Sequence, residues 1–276
     1  MTQQSFVVRT RAHVEREYGE EKWPAIEQLI RTERALEPDA GLSQILARVL
    51  RAQYRTADLT EPRPFVLDGK RTSIPRGGAF GAAQFIVQDA IAEACLPETD
   101  LVLELGSGWG WLLLAAWAAG GPRHASYVAA EYTEAGRRAA GALAELDDRL
   151  DFRAIHFDYH DPDLSGLGSR RHAVVLTAHS IEQVPELKAD LVEAIRGVAR
   201  EVTCLHFEPV GWQLDGYSGA GSTRKYAERH DYNRNLIPLL RAAEAAGTIA
   251  IELIRPDVFG INPENSTTAI RWSSVS

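Results

Sequence analysis

Apolar positions along the first 60 residues fall at helical spacing: Trp23, Ile26, Leu29 and Ile30, then, after a break at 38–41, Leu42, Ile45, Leu46, Val49 and Leu50. Charged side chains fill the other faces, which predicts amphipathic helices. Residues 61–78 are punctuated by Pro and Gly and predict a connecting loop. A new stripe, Ala83, Val87, Ala90, Ile91 and Ala94, predicts a helix from Phe80 that stops before Pro97. Beyond it the rhythm changes. Short apolar runs at 101–103, 127–130, 150–157, 172–178 and 201–208 alternate with helical stripes. One stripe holds Leu143 and Leu146 behind a Thr133 cap; another holds Leu187, Leu191, Ile195 and Val198 from Pro185 onward. Such alternation builds a mostly parallel sheet with helices on its faces. A last helical stretch runs from 223 to Gly247, and 248–260 and 265–273 read as two closing strands.

The densest signal lies at 101–132, LVLELGSGWGWLLLAAWAAGGPRHASYVAAEY. It reads as strand, glycine turn, helix and strand, with Glu104 and Glu131 near the tips of the two strands. A unit of this kind holds a nucleoside-bearing ligand at the carboxyl ends of its strands. Gly106 and Gly108 allow a sharp turn with no Cβ between backbone and ligand. Glu131, 25 residues after Gly106, is placed to accept hydrogen bonds from both ribose hydroxyls. A dinucleotide turn needs Gly or Ala three residues after its second glycine, where this chain has Trp111. Glu104 would also set a negative charge against a pyrophosphate.

ELGSGWG instead resembles the first motif of class I S-adenosylmethionine-dependent methyltransferases, an acid followed by GxGxG, and the resemblance runs from about Gly78 to the C-terminus. Their ligand carries a sulfonium and an ammonium and no phosphate, so acids beside the turn are tolerated. The resemblance implies a Rossmann-like α/β sheet, mostly parallel with an antiparallel last strand, carrying an N-terminal helical cap. It divides the chain into a cap and connecting loop at 1–77 and a methyltransferase domain at 78–276. It implies S-adenosyl-L-methionine as cofactor, held by Glu104, Gly106, Ser107, Gly108, Gly110, Glu131, Tyr132, Phe157, Asp158, Tyr159 and Thr177. In that set Asp158 would bind the adenine amine, and Phe157 or Tyr159 would flank the ring. By the same analogy Arg76 could reach the methionine carboxylate, against the plainer reading of a solvated loop arginine.

Methyl transfer demands alignment and a dry site, and an acceptor that must lose a proton also needs a base. His179, Glu182, His206 and Glu208, at the inferred carboxyl ends of the fourth and fifth strands, are the candidate catalytic residues. A histidine suits a hydroxyl acceptor and a carboxylate suits a cationic amine. Each also has a plain structural role open to it, His206 as a core residue and Glu208 as a turn cap among them. The glycine- and serine-rich stretch 214–222 reads as a lid that could bring Tyr226, His230, Tyr232 and Asn233 over the acceptor.

Composition narrows the partners. Hydrophobic residues make up 45% and charged residues 25%, as in a globular chain, and the net charge of −8 disfavours a nucleic-acid substrate. No apolar run approaches the roughly 20 residues that span a bilayer. The start lacks a signal-peptide core, so the cytoplasm is the expected location. Cys95 and Cys204 read as buried thiols, and no metal-binding spacing is present. The sequence thus points to methylation of an oxygen or nitrogen on a small molecule, natural-product tailoring among the options, with homodimerisation through the N-terminal helices possible. The alternatives are a peptide or protein side chain as acceptor, an NAD-dependent oxidoreductase, and a nucleoside-binding module without catalysis.

Overall fold

The structure, a computed structural model, describes residues 9–53, 58–219, 221 and 223–275. Helix α1 (Arg11–Val14) passes through wider π-type turns at Glu15–Lys22 straight into α2 (Trp23–Leu36), and α3 (Leu42–Gln53) folds back beside it. Next come a hairpin, β1 (Pro62–Leu67) and β2 (Lys70–Pro75), and helix α4 (Arg76–Ala94). The alternating core follows: β3 (Thr99–Leu105), α5 (Trp111–Ala118), β4 (Ser126–Glu131), α6 (Glu134–Ala144), β5 (Phe152–His156) and β6 (His172–Ala178). After it lie α7 (Asp190–Arg196), β7 (Glu201–Glu208), α8 (Arg224–Arg229), α9 (Leu236–Ala245), β8 (Ile249–Gly260) and β9 (Thr267–Ser274).

All nine strands form one sheet in the order β2-β1-β8-β9-β7-β6-β3-β4-β5. Neighbours from β7 to β5 pair in parallel. The last strand, β9, pairs antiparallel with both β7 and β8. This is the mostly parallel, Rossmann-like sheet with an antiparallel last strand that the sequence leads one to expect. The chain leaves β3 toward β4 on one side and later returns to β6 on the other. The order therefore reverses between β3 and β6, and a crevice opens at the carboxyl ends of those two strands.

Helix α5 (WLLLAAWA) is apolar all round because it is covered all round. Leu112, Leu113 and Leu114 are buried between the sheet and the N-terminal helices, and Trp117 meets Tyr127 edge-on at 5.4 Å. Burying each such leucine contributes about 1.5–3 kcal/mol. The opposite face of the sheet is covered by α7 and α9, through Leu191, Ile195, Leu236 and Leu240.

Four expectations about local structure need correction. Residues 61–78 hold the β1–β2 hairpin, which joins the sheet through Val66 and Leu67 on β8. Its turn is Asp68-Gly69, both in the left-handed region (φ 50° and 72°), the two-residue turn that matches strand twist. Helix α4 starts at Arg76, before Phe80. Helix α7 starts at Asp190 and not at Pro185, because the Asn235 side chain holds Leu187 open by bonding its N–H (2.9 Å) and its carbonyl (2.8 Å). The stretch 223–247 is two helices, split where Asn233 Oδ1 accepts from the N–H groups of Asn235 and Leu236 while its Nδ2 donates to Val184 O.

Candidate active site

The crevice is a cavity of about 610 Å³, a size suited to a small-molecule ligand. Its floor is the turn between β3 and α5. Gly106, Gly108 and Gly110 have φ of 66°, 55° and 71°, a region costly for any residue with a Cβ. Their bareness also serves the chain itself. A Cβ on Gly106 would collide with the Ser180 side chain, one on Gly108 would lie 2.8 Å from the Trp23 ring, and one on Gly110 2.9 Å from Ala140 Cβ. The space over Gly108, expected for the ligand, is thus shared with an indole from α2.

Two polar atoms at this turn have no partner among the described residues: Glu104 Oε2 and Ser107 Oγ. Both residues are buried, at 4% and 5% exposure, and both line the cavity. The Leu113 N–H donates to the Glu104 carboxylate. Burial, with the charge of Glu131 nearby, nevertheless pushes its pKa up to about 8. A buried carboxyl with an unmatched oxygen costs free energy unless something meets it.

Glu131 ends β4 and grips the same turn. It accepts from Gly108 N–H at 2.9 Å, Thr133 N–H at 2.9 Å and the Thr133 hydroxyl at 2.7 Å. Tyr132 follows it on the wall, its ring 5.6 Å from that of His156. At the end of β5, Phe157 and Tyr159 pack edge-to-face at 4.9 Å, and Asp158 forms an ion pair with Arg11 at 2.7 Å. The Tyr159 hydroxyl donates to Leu105 O at 2.8 Å and meets Ser180 Oγ at 2.7 Å, tying the ends of three strands together.

The end of β6 carries His179 in the left-handed region (φ 52°), a conformation that needs support. Glu208 supplies it. Fully buried, this carboxylate accepts from the N–H groups of Ser180, Ile181 and Glu182 at 3.2–3.4 Å. Burial pushes its pKa up to about 7, Glu182 adds to the rise, and the charge of His179 and its own hydrogen bonds oppose it. His179 Nδ1 meets Glu182 Oε2 at 3.1 Å, and its Nε2 meets Thr267 Oγ1 at 2.7 Å. Burial lowers the His179 pKa, but Glu182 and Glu208 carry it above its ordinary value.

The structure therefore sorts the predicted residues. Glu104, Gly106, Ser107, Gly108, Glu131, Tyr132, Phe157, Asp158, Tyr159 and His179 line the cavity, while Glu182 and Glu208 stand behind His179. Gly110 turns away toward Ala140. Thr177 and His206 are not brought to the cavity. Thr177 Oγ1 lies 3.0 Å from His206 Nδ1, and His206 Nε2 accepts from Trp272 at 2.9 Å in the core. Burial drives the His206 pKa down to about 3. Arg76 lies off the wall, beside Glu61 at 3.9 Å. Tyr226, His230, Tyr232 and Asn233 line no part of this cavity either. Instead Tyr226 stacks on His230 at 4.0 Å, and the Arg9 guanidinium lies over the Tyr232 ring at 5.5 Å. In the stretch 214–222, of which 220 and 222 lie outside the described residues, the Tyr217 hydroxyl donates to Asp257 at 2.6 Å.

The sequence led one to expect an N-terminal helical cap but assigned none of its residues to the site. Thr10, Arg11, Val14, Tyr18 and Trp23 lie over the cavity as one strap. Arg9 ties its end down, donating from its N–H to Asp231 (3.0 Å) and from Nε to His230 O (3.2 Å). Spacing marked Trp23 only as an apolar helix position, because nothing local shows which distant loop a helix will cross.

No family model and no curated protein matches this sequence. Solved structures do. A SAM-dependent methyltransferase from Aquifex aeolicus is 14% identical over 68% of this chain and 89% of its own, with a TM-score of 0.45. Magnesium protoporphyrin IX methyltransferase from Synechocystis PCC 6803 with bound SAH is 12% identical over 73% and 87%, with a TM-score of 0.48. The N-terminal domain of EvdMO1 with SAH bound is 19% identical over 82% and 97%, with a TM-score of 0.43. No helix among the described residues is long and apolar enough to cross a membrane.

Proposed function

We propose that this chain is an S-adenosylmethionine-dependent methyltransferase acting on an oxygen or nitrogen of a small molecule. The observation that carries the reading is the buried, unmatched Glu104 Oε2 at the crevice where the strand order reverses. Such an oxygen fits a cation, which would draw the proton off the buried carboxyl, and offers a pyrophosphate no positive charge, which favours a sulfonium nucleoside over a dinucleotide. Glu104 and Ser107 would take the ammonium of the methionine part, and Glu131, whose Oε2 accepts one hydrogen bond within the chain and keeps a lone pair, a ribose hydroxyl. Tyr132, Phe157 and Tyr159 would flank the adenine. Asp158 would reach the adenine amine on leaving Arg11. When bound, the sulfonium would supply an activated methyl group to a lone pair of the acceptor, with the thioether as leaving group.

His179 is the candidate to orient the acceptor, with Glu182 and Glu208 as positioning residues. It could take a proton at Nε2 once the Thr267 hydroxyl turns away. In this reading the helices up to Gln53 are the cap, β1 and β2 of the segment 1–77 belong with the sheet of the transferring domain 78–276, and the roof over the cavity favours a small acceptor over a peptide. Separate calorimetric titrations with S-adenosylhomocysteine and NAD test the assignment. Binding of the sulfur nucleoside alone is expected, and binding of NAD alone overturns it.

A further inference from the structure

A third polar atom of the cavity wall is buried without a partner, and the groups assigned so far do not use it. Gln183 ends the single 3-10 turn after β6 (Ile181–Gln183) and lines the cavity. Its Oε1 is buried and meets no hydrogen-bond donor among the described residues. The chain itself fixes which end of the amide this is. The other end lies 3.0 Å from Glu182 Oε1, and a carboxylate oxygen accepts but does not donate, so the NH2 group belongs there. Turning the amide over would set two oxygens against each other. Gln183 therefore offers the cavity an acceptor, and burying that acceptor unmatched costs free energy that an N–H or O–H of a ligand would recover.

Its place in the fold selects the donor, given the methyltransferase reading on which the assignment rests. Segments 158–160 and 180–188 are laced together at the end of the cavity proposed for adenine. The Tyr159 hydroxyl meets Ser180 Oγ at 2.7 Å, and Lys188 Nζ donates to His160 O at 3.3 Å. Gln183 lies on its segment between those two contacts, and Asp158 and His160 line the same cavity. Asp158 is the residue assigned to the adenine amine, yet both its oxygens already have protein partners. Oδ1 accepts from the His160 N–H at 2.8 Å, and Oδ2 pairs with Arg11 at 2.7 Å. An adenine amine also carries two N–H bonds, and one carboxylate oxygen leaves the second unmatched. We propose that Gln183 Oε1 accepts one N–H of the adenine amine, leaves the other for Asp158, and so sets the preference of the site for adenine over a base without the amine.

The test is calorimetric, on the full-length protein. It compares S-adenosylhomocysteine with its 6-deamino analogue, in which hydrogen replaces the adenine amine. The wild type should bind the amine-bearing compound at least about tenfold more tightly, since the analogue leaves Gln183 Oε1 buried and unmatched. Gln183→Met keeps the length of the side chain and removes the acceptor. It should weaken S-adenosylhomocysteine by about three- to tenfold, as for one neutral hydrogen bond, and shrink the preference by a similar factor. A merely structural role, acting through Glu182, would weaken both compounds alike and keep their ratio. Gln183→Ala is read in the same way if the Met variant loses its fold, seen as a collapse of Tm. A ratio unchanged by the substitution, or a wild type that binds the two compounds equally, overturns the proposal. Failure of S-adenosylhomocysteine to bind the wild type would instead bring down the methyltransferase reading.

Discussion

Replacing Glu104 by Gln separates what this residue does for the fold from what it does for a ligand. In an unfolded chain its carboxyl titrates near 4.5; in the folded protein burial moves it up to about 8. The folded state thus holds a proton that the unfolded state has released, and the wild type loses stability as pH rises from 4.5 through 8. The cost comes to about 1 kcal/mol at pH 5 and about 3 kcal/mol at pH 7. Glutamine matches the protonated carboxyl in shape, keeps an acceptor for Leu113 N–H and carries no such cost. At about 2–4 °C per kcal/mol for chains near this size, Glu104→Gln should raise Tm by about 6–12 °C at pH 7 and by only about 2–4 °C at pH 5. The same variant should bind S-adenosylhomocysteine more weakly by about 1.5–3 kcal/mol, having lost the charged partner of its ammonium. Binding to the wild type at pH 7 should release a proton, seen as a dependence of the calorimetric enthalpy on the buffer, and the variant should not show it. A Tm difference that is the same at pH 5 and pH 8, or unchanged affinity, would refute the reasoning.

Three other changes test the surroundings. Glu131→Ala should weaken S-adenosylhomocysteine by about 1.5–3 kcal/mol in calorimetry, through the lost ribose contact and a freed Gly108 N–H; unchanged affinity removes it from the site. Glu208→Ala leaves three backbone N–H groups unpaired, each costing about 1–3 kcal/mol, so its Tm should fall steeply and Glu208→Gln should recover most of the loss. Because burial lifts Glu208 to about 7, its contribution to stability should decline as pH rises from 4.5 through 7, which a Tm profile of the Gln variant against the wild type would show. His206→Gln should lower Tm without changing affinity for the sulfur nucleoside. With the His206 pKa held down to about 3, the wild type loses stability as pH falls below 6.5, and this variant should lose less.

Much of the fold is readable because its signals are local. The run ELGSGWG needs positive φ at its glycines wherever it occurs, and the alternation of apolar runs and stripes sets the parallel strands. The Asp68-Gly69 turn was equally local, yet the strands beside it went unread, since β1 and β2 are largely exposed and lack a clean alternation. The helix boundaries at Pro185 and around Asn233 were not readable. Asn233 and Asn235 reach across the fold to hold Val184 and Leu187 out of a helix, and no neighbour in sequence announces that.

By itself the sequence determined where acids meet the ends of parallel strands, because strand period and glycine turns fix which residues reach the carboxyl edge of a sheet. Only the tertiary structure decided which of those acids are already satisfied. Glu131, Asp158, Glu182 and Glu208 all found protein donors, some of them scores of residues away. Glu104 shares the same edge and kept one oxygen bare. The difference comes from burial and distance in space, which hydrogen bonding across the fold sets and local pattern does not encode.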